Sequence, residues 1–204
     1  DTVSERYRLG RMVAVLGRAA TDSLNLADAQ AVLDTAAAAC GESVSLGVID
    51  DRDVLILATA ESSQPLRFDR ATGSRTPVHA SAIGKAILAF APRDRWRGPS
   101  TTLPAFTERT IVAGVDLEGQ LEQIRSDGVA LNLEERYVGV CAVAAPVLEA
   151  AGVARAGVGF QVPLARFGAG RQRELSERAV TLGAGLAEAL PRRRDDVARP
   201  ADRP

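Results

Sequence analysis

The stretch SVSLGVIDDRDVLILATAE, residues 43–61, decides the fold. Two β-rich apolar runs flank the charged residues Asp50, Asp51, Arg52 and Asp53. A period of two broken by a short polar turn predicts an antiparallel hairpin. The pattern returns in VGVCAVAAPVLEAAGVARAGVGFQVP, residues 138–163, around a turn near Ala151 and Gly152. Two hairpins imply a mainly antiparallel sheet.

Helical periods surround these runs. In residues 7–20, Leu9, Met12, Val13 and Leu16 share one face. Residues 22–42 carry the stripe Leu26, Ala29, Val32, Leu33 and Ala36, with Asn25 as the expected N-cap and Gly41 as the stop. PLRFDR, residues 65–70, alternates Leu66 and Phe68 with polar neighbours and predicts a strand, followed by a loop over 71–77. Residues 78–90 become helical until Pro92. A helix over 116–126, a turn and strand over 127–135, and a helix from 164 to about 190 complete the series. The expected class is α+β, with helices covering one or both faces of the sheet.

Composition narrows the function. The chain has 204 residues and a formal net charge of −1. That size supports one ordinary core, and that charge argues against a broad nucleic-acid face. Two cysteines, Cys40 and Cys141, are too few for a disulfide framework and read as buried thiols of a reducing cytoplasm. No apolar run is long enough to span a membrane. The chain opens without methionine or the apolar core of a signal peptide, and is read as an excised piece of a longer protein.

VHASAIGKAILAF, residues 78–90, carries the candidate chemistry. A phosphate loop would need glycine at position 79 and Ser or Thr at 86; the residues there are His79 and Ala86. His79 is the single histidine, so a hydrolase would pair it with Ser81 or Cys141. No G-x-S-x-G elbow supports that reading. With one histidine and no C-x-x-C, no metal site is expected and no cofactor is implied. The remaining reading is a helix start. Ser81 as N-cap puts Ala82, Ile83 and Gly84 in the first turn, whose N–H groups lack helical acceptors and suit a carboxylate. Glu134 and Glu135 are adjacent, so a continuing strand would point them to opposite faces; turn or surface roles are expected.

VHASAIGKAILA resembles the HASAxGKAxLA segment of IclR-type bacterial transcriptional regulators. YRLG (residues 7–10), FTERTI (106–111) and DGVALNLEERYVGVCAVAAPVLEAAG (127–152) are similar, in order and spacing, to three further stretches of that family. The resemblance implies a GAF-like (profilin-like) effector-binding domain over residues 21–190, a linker helix over 1–20 and a disordered tail over 191–204. Operator DNA would be bound only by a winged helix-turn-helix domain that this chain lacks. The implied effector is a small carboxylic or aromatic acid, and the implied assembly a homodimer or homotetramer in the cytoplasm.

Carried over position by position, the amide donors would be Ala82 and Ile83. The family's acidic position falls on Asn132. Ala142, Gly159 and Gln161 occupy places that are polar or hydroxylated in some members, and Leu66, Phe68 and Val140 would form apolar walls. Gly159 and Ala142 suggest a pocket wide enough for an aromatic acid. A GAF-like interaction module with no ligand is the other alternative to an effector site.

Overall fold

The computed structural model of the chain describes residues 10–92 and 103–190. Residues 7–9 of the first expected helix and the whole expected tail, 191–204, lie outside the described residues. Two helices, α1 (Met12–Ser23) and α2 (Leu26–Cys40), precede the hairpin β1 (Ser43–Asp50) and β2 (Asp53–Ala60). A short strand β3 (Arg75–Pro77) leads through a 3-10 turn, Val78–Ala80, into α3 (Ala82–Phe90). Then come α4 (Gly114–Asp127), β4 (Ala130–Leu133), β5 (Val140–Leu148), β6 (Ala154–Pro163) and α5 (Ala169–Ala189). The six strands form one antiparallel sheet in the order β3-β2-β1-β6-β5-β4. The α+β class with antiparallel hairpins is as expected.

Each face of the sheet has its own core. Val143, Ala145 and Val147 of β5 and Val158, Phe160 and Val162 of β6 pack against α2 and α5. Ala144 of β5 faces the other way, into a cluster with Ile83, Ala86 and Ile87 of α3 and Leu117, Leu121 and Ile124 of α4. On that side β6 presents glycine: a Cβ at Gly157 would meet Ile83 and Ile87, and one at Gly159 would meet Val143 O and Ala144 Cβ at 2.8 Å. Absent side chains there let α3 lie close on the sheet.

Three local expectations are corrected. PLRFDR is not a strand; the backbone from 61 to 74 is irregular and reaches the sheet only at β3. Its alternation belongs to a loop pinned by Arg166 Nη1 donating to Leu66 O at 2.7 Å and Ser43 Oγ donating to Asp69 at 2.6 Å. Asn25 sits at the N-cap position of α2 but does not cap. Its backbone is left-handed (φ 48°), and its side chain donates to Ala189 O at 3.3 Å, tying α2 to the end of α5. α1 continues to Ser23, past the expected end at residue 20, and buries none of its residues.

Candidate functional site

Ser81 is extended (φ −138°), and its Oγ accepts from Gly84 N at 2.9 Å. This is an N-cap bond, and it leaves the N–H groups of Ala82 and Ile83 in a turn that supplies no helical acceptor. A side chain at Gly84 would collide with Val78 O, so only glycine lets α3 start tight against the preceding 3-10 turn. Ala82 and Ile83 are buried.

Beside this helix start is a cavity of about 20 Å³. Six expected residues line it together: Ala82, Ile83, Asn132, Val140, Ala142 and Gly159; Gln161 is a seventh. Sequence reasoning missed four further lining groups, Arg70, Thr76, Arg136 and Tyr137. Arg70 comes from the irregular loop after β2, Thr76 from β3, and Arg136 and Tyr137 from the loop between β4 and β5.

The β4–β5 loop is fixed from three directions. Asn132 Nδ2 donates to Ala80 O at 2.7 Å, and its Oδ1 accepts from Glu135 N at 3.1 Å. An aspartate could not make the first bond, which explains an amide where the family places an acid. Thr107 Oγ1 donates to Glu134 O at 2.8 Å and Thr110 Oγ1 to Glu135 O at 2.6 Å, giving the two threonines of FTERTI a structural task. From below, Lys85 Nζ meets both Glu135 carboxylate oxygens at 2.6 and 2.7 Å and Gln120 Oε1 at 2.8 Å. Burial pulls the Lys85 ammonium below its ordinary value while Glu135 opposes that shift. Glu134, left-handed at φ 64°, accepts from Gly139 N at 2.8 Å and pairs with Arg109 at 3.1 Å. Both glutamates are therefore turn residues, as one half of the expectation had it, but they are buried rather than at the surface.

The charges lining the cavity are unbalanced. Among the described residues, Arg70 and Arg136 line it and no acidic residue does. Among the described residues neither arginine has a carboxylate within salt-bridge distance. Their guanidinium carbons lie over rings instead: Arg136 at 3.9 Å from the Phe106 centroid and 5.0 Å from Tyr137, Arg70 at 5.5 Å from Phe68. Such contacts stabilise a cation without neutralising it. Burial pushes the Arg70 guanidinium below its ordinary value, and Arg136 pushes the same way. Arg136 Nε and Thr76 Oγ1 are buried without hydrogen-bond partners.

Two expected wall residues are not at the cavity. Leu66 is 62% exposed, because its loop follows the surface. Phe68 stands one layer out, its ring 5.2 Å from that of Tyr137. Nor does Gly159 widen the pocket: the space it leaves is taken up by β5 and by Ile83 of α3.

The three residues of the hydrolase reading, His79, Ser81 and Cys141, are otherwise engaged. His79 donates through Nε2 to Pro104 O at 3.0 Å and stacks near Phe106. The Ser81 hydroxyl serves as the cap of α3. Burial, followed by Glu134, raises the Cys141 thiol above its ordinary value, away from the thiolate a nucleophile needs. Among the described residues no group of His, Cys, Asp and Glu could hold a metal.

A larger groove of about 830 Å³ lies on the opposite side of the sheet, between α2 and α5. Of its charged lining residues, Glu174 and Arg178 pair with each other at 2.9 Å, while Glu177 stands in the lining beside them.

Comparison with known proteins agrees with the architecture. The HTH-type transcriptional regulator BhcR of Paracoccus denitrificans is 36% identical over 157 residues, 76% of this chain and 56% of that protein. The chain thus spans little more than half of that relative's length. The C-terminal domain of the Escherichia coli transcriptional regulator KdgR superposes with a TM-score of 0.71 at 26% identity, over 80% of this chain and 96% of that one. The inducer-binding domain of a double mutant of PobR from Acinetobacter, in complex with 3-hydroxybenzoic acid, gives 0.66 at 26% identity over 78% and 93%. Residues 18–184 match the family described as bacterial transcriptional regulator IclR C-terminal. The chain therefore belongs to the IclR family of transcriptional regulators through its C-terminal domain, and its relatives are regulators of transcription rather than enzymes.

Proposed function

We propose that this domain senses a small organic acid at the cavity beside α3 and passes its occupancy to the rest of an IclR-type regulator. The observation that carries this reading is the unbalanced charge of the cavity. Among the described residues, Arg70 and Arg136 line it without carboxylate partners, beside the first-turn N–H groups of α3 and the unpartnered hydroxyl of Thr76. Helix N-termini and guanidinium groups both favour carboxylates, the second often bidentately. The 3-hydroxybenzoic acid held by the inducer-binding domain of PobR supports an aromatic or other carboxylic acid as the ligand class.

Residues 21–190 would form the effector-binding unit, with residues 1–20 as linker and 191–204 as tail. In the cytoplasm the domain would act as a homodimer or homotetramer, and operator DNA would be contacted through an N-terminal domain. The ligand must favour one arrangement of the assembly over another, since equal affinity shifts nothing. A cavity of about 20 Å³ holds roughly one water, so binding requires the arginine side chains and Tyr137 to move outward.

That small volume also favours a second reading, an interaction module whose pocket is filled by its own side chains. A thermal-shift screen of small mono- and dicarboxylic acids separates the two, because a ligand bound only by the folded state raises Tm. The sensor reading expects a concentration-dependent rise with at least one acid that is lost in Arg136→Gln. A flat response across the screen supports the module.

A further inference from the structure

We infer that the effector carries two anionic groups, one near each end, and that Arg70 is the residue that selects a dianion over a monoanion. The inference rests on the effector-site reading above and narrows its ligand class.

It follows from a charge inventory of the site. Among the described residues, the acids on the elements that carry the lining arginines and Asn132 are engaged elsewhere. Asp69 accepts from Ser43 Oγ and Arg67, Glu134 pairs with Arg109, and Glu135 holds Lys85. Among the described residues, the cavity lining contributes two guanidinium groups and no carboxylate. A monoanion would leave one positive charge unbalanced in a partly desolvated place, whereas a dianion cancels both.

The groups around the cavity differ in burial. Ala82, Ile83 and Thr76 are buried, and the Thr76 hydroxyl has no hydrogen-bond partner among the described residues. Arg70 and Arg136 are half-buried, and Tyr137 in the same lining is 41% exposed. Phe68 and Phe106 hold the two guanidinium groups from their ring faces. Their N–H edges are then left for an acceptor. One carboxylate is placed against the helix start and the other between the arginines.

Isothermal titration of the whole chain at low ionic strength tests this with succinate, glutarate, adipate and phthalate, each beside its own monomethyl ester. The ester keeps the shape and removes one charge. At least one diacid is expected to bind about tenfold or more tightly than its half-ester. Arg70→Gln should weaken the diacid much more than the half-ester, so that the ratio between their affinities falls toward one. Arg70→Lys, which keeps the charge but loses the fork, should retain part of the preference and guards against a folding defect in the first variant. Half-esters that bind as well as their diacids, or a preference that survives Arg70→Gln, overturn the dianion inference and leave a monoacid sensor standing. Absence of binding by every diacid and half-ester, and by benzoate as a plain monoacid, overturns the sensor reading as well.

Discussion

At the scale of single residues, the site depends on main-chain groups held by side chains of one kind. Asn132 is the clearest case. Its Nδ2 satisfies Ala80 O and its Oδ1 satisfies Glu135 N, so one amide joins the entry of α3 to the β4–β5 loop. Asn132→Asp sets a carboxylate against the Ala80 carbonyl and adds a negative charge to a cavity that otherwise lines itself with positive ones. It should cost about 1–3 kcal/mol in urea unfolding at pH 7, the usual penalty for leaving a buried group unsatisfied. It should also abolish any acid-induced rise in Tm. A neutral effect on both would mean that the amide is a bystander. Gly84 is constrained by space rather than charge: Gly84→Ala drives a methyl into Val78 O and Ser81 Oγ. Overpacking of this kind costs about 1–3 kcal/mol, and chemical denaturation would read it directly.

At the scale of elements, α3 and α4 are joined to the loop that carries Arg136 through Lys85, Gln120 and Glu135. Lys85 is wholly buried, and removing one member of a buried pair leaves the other charge stranded. Lys85→Met should therefore cost about 3–5 kcal/mol, and Lys85→Met with Glu135→Leu should recover much of it in the same denaturation experiment. No recovery in the double variant would show that the site needs the ions themselves. α5 offers the pH counterpart. Arg171, then Arg178, holds the Glu174 carboxylate below its ordinary value. A carboxylate depressed in the folded state adds stability above its unfolded pKa and loses it as pH falls through the folded one. The small Tm deficit of Glu174→Gln at pH 7 should therefore close as pH drops below about 4. Both hairpins and the start of α3 were readable because a period of two and an N-cap serine are local signals. β3 was not: three residues, Arg75–Pro77, carry no period, and only pairing with β2 makes them a strand. The bulge at Leu46/Gly47 also escaped notice. Val54, Ile56, Ala58 and Ala60 alternate without a break, yet the first two face α3 and the last two face α2 and α5. An extra residue at a bulge changes the face without changing the pattern. Arg70 and Arg136 were illegible for a related reason. A sequence shows how many charges there are but not which acids are already taken.

At the scale of the whole molecule, the sheet separates two surfaces with different chemistry. The α3 side holds a cavity lined by two arginines, and the α2–α5 side holds a wide, mainly apolar groove that carries Glu174, Glu177 and Arg178. α1 belongs to neither core. Met12, Val13, Val15 and Leu16 are 64, 46, 61 and 63% exposed, an apolar stripe on a helix that buries nothing in the single chain. Such a stripe, on a helix with its polar residues on the other side, calls for a partner surface. If the domain self-associates, as proposed above, α1 offers a run of four exposed apolar side chains to cover. Met12→Lys combined with Leu16→Lys should then shift sedimentation toward monomer. The free energy of chemical unfolding, compared at a protein concentration where parent and variant are both monomeric, should change by less than about 0.5 kcal/mol, as for other surface changes. If the variant keeps the oligomer distribution of the parent, association must use another face, and the α2–α5 groove becomes the surface to substitute next. Loss of oligomer together with a large loss of stability would instead show that α1 supports the fold of its own chain, contrary to the exposure of its apolar face.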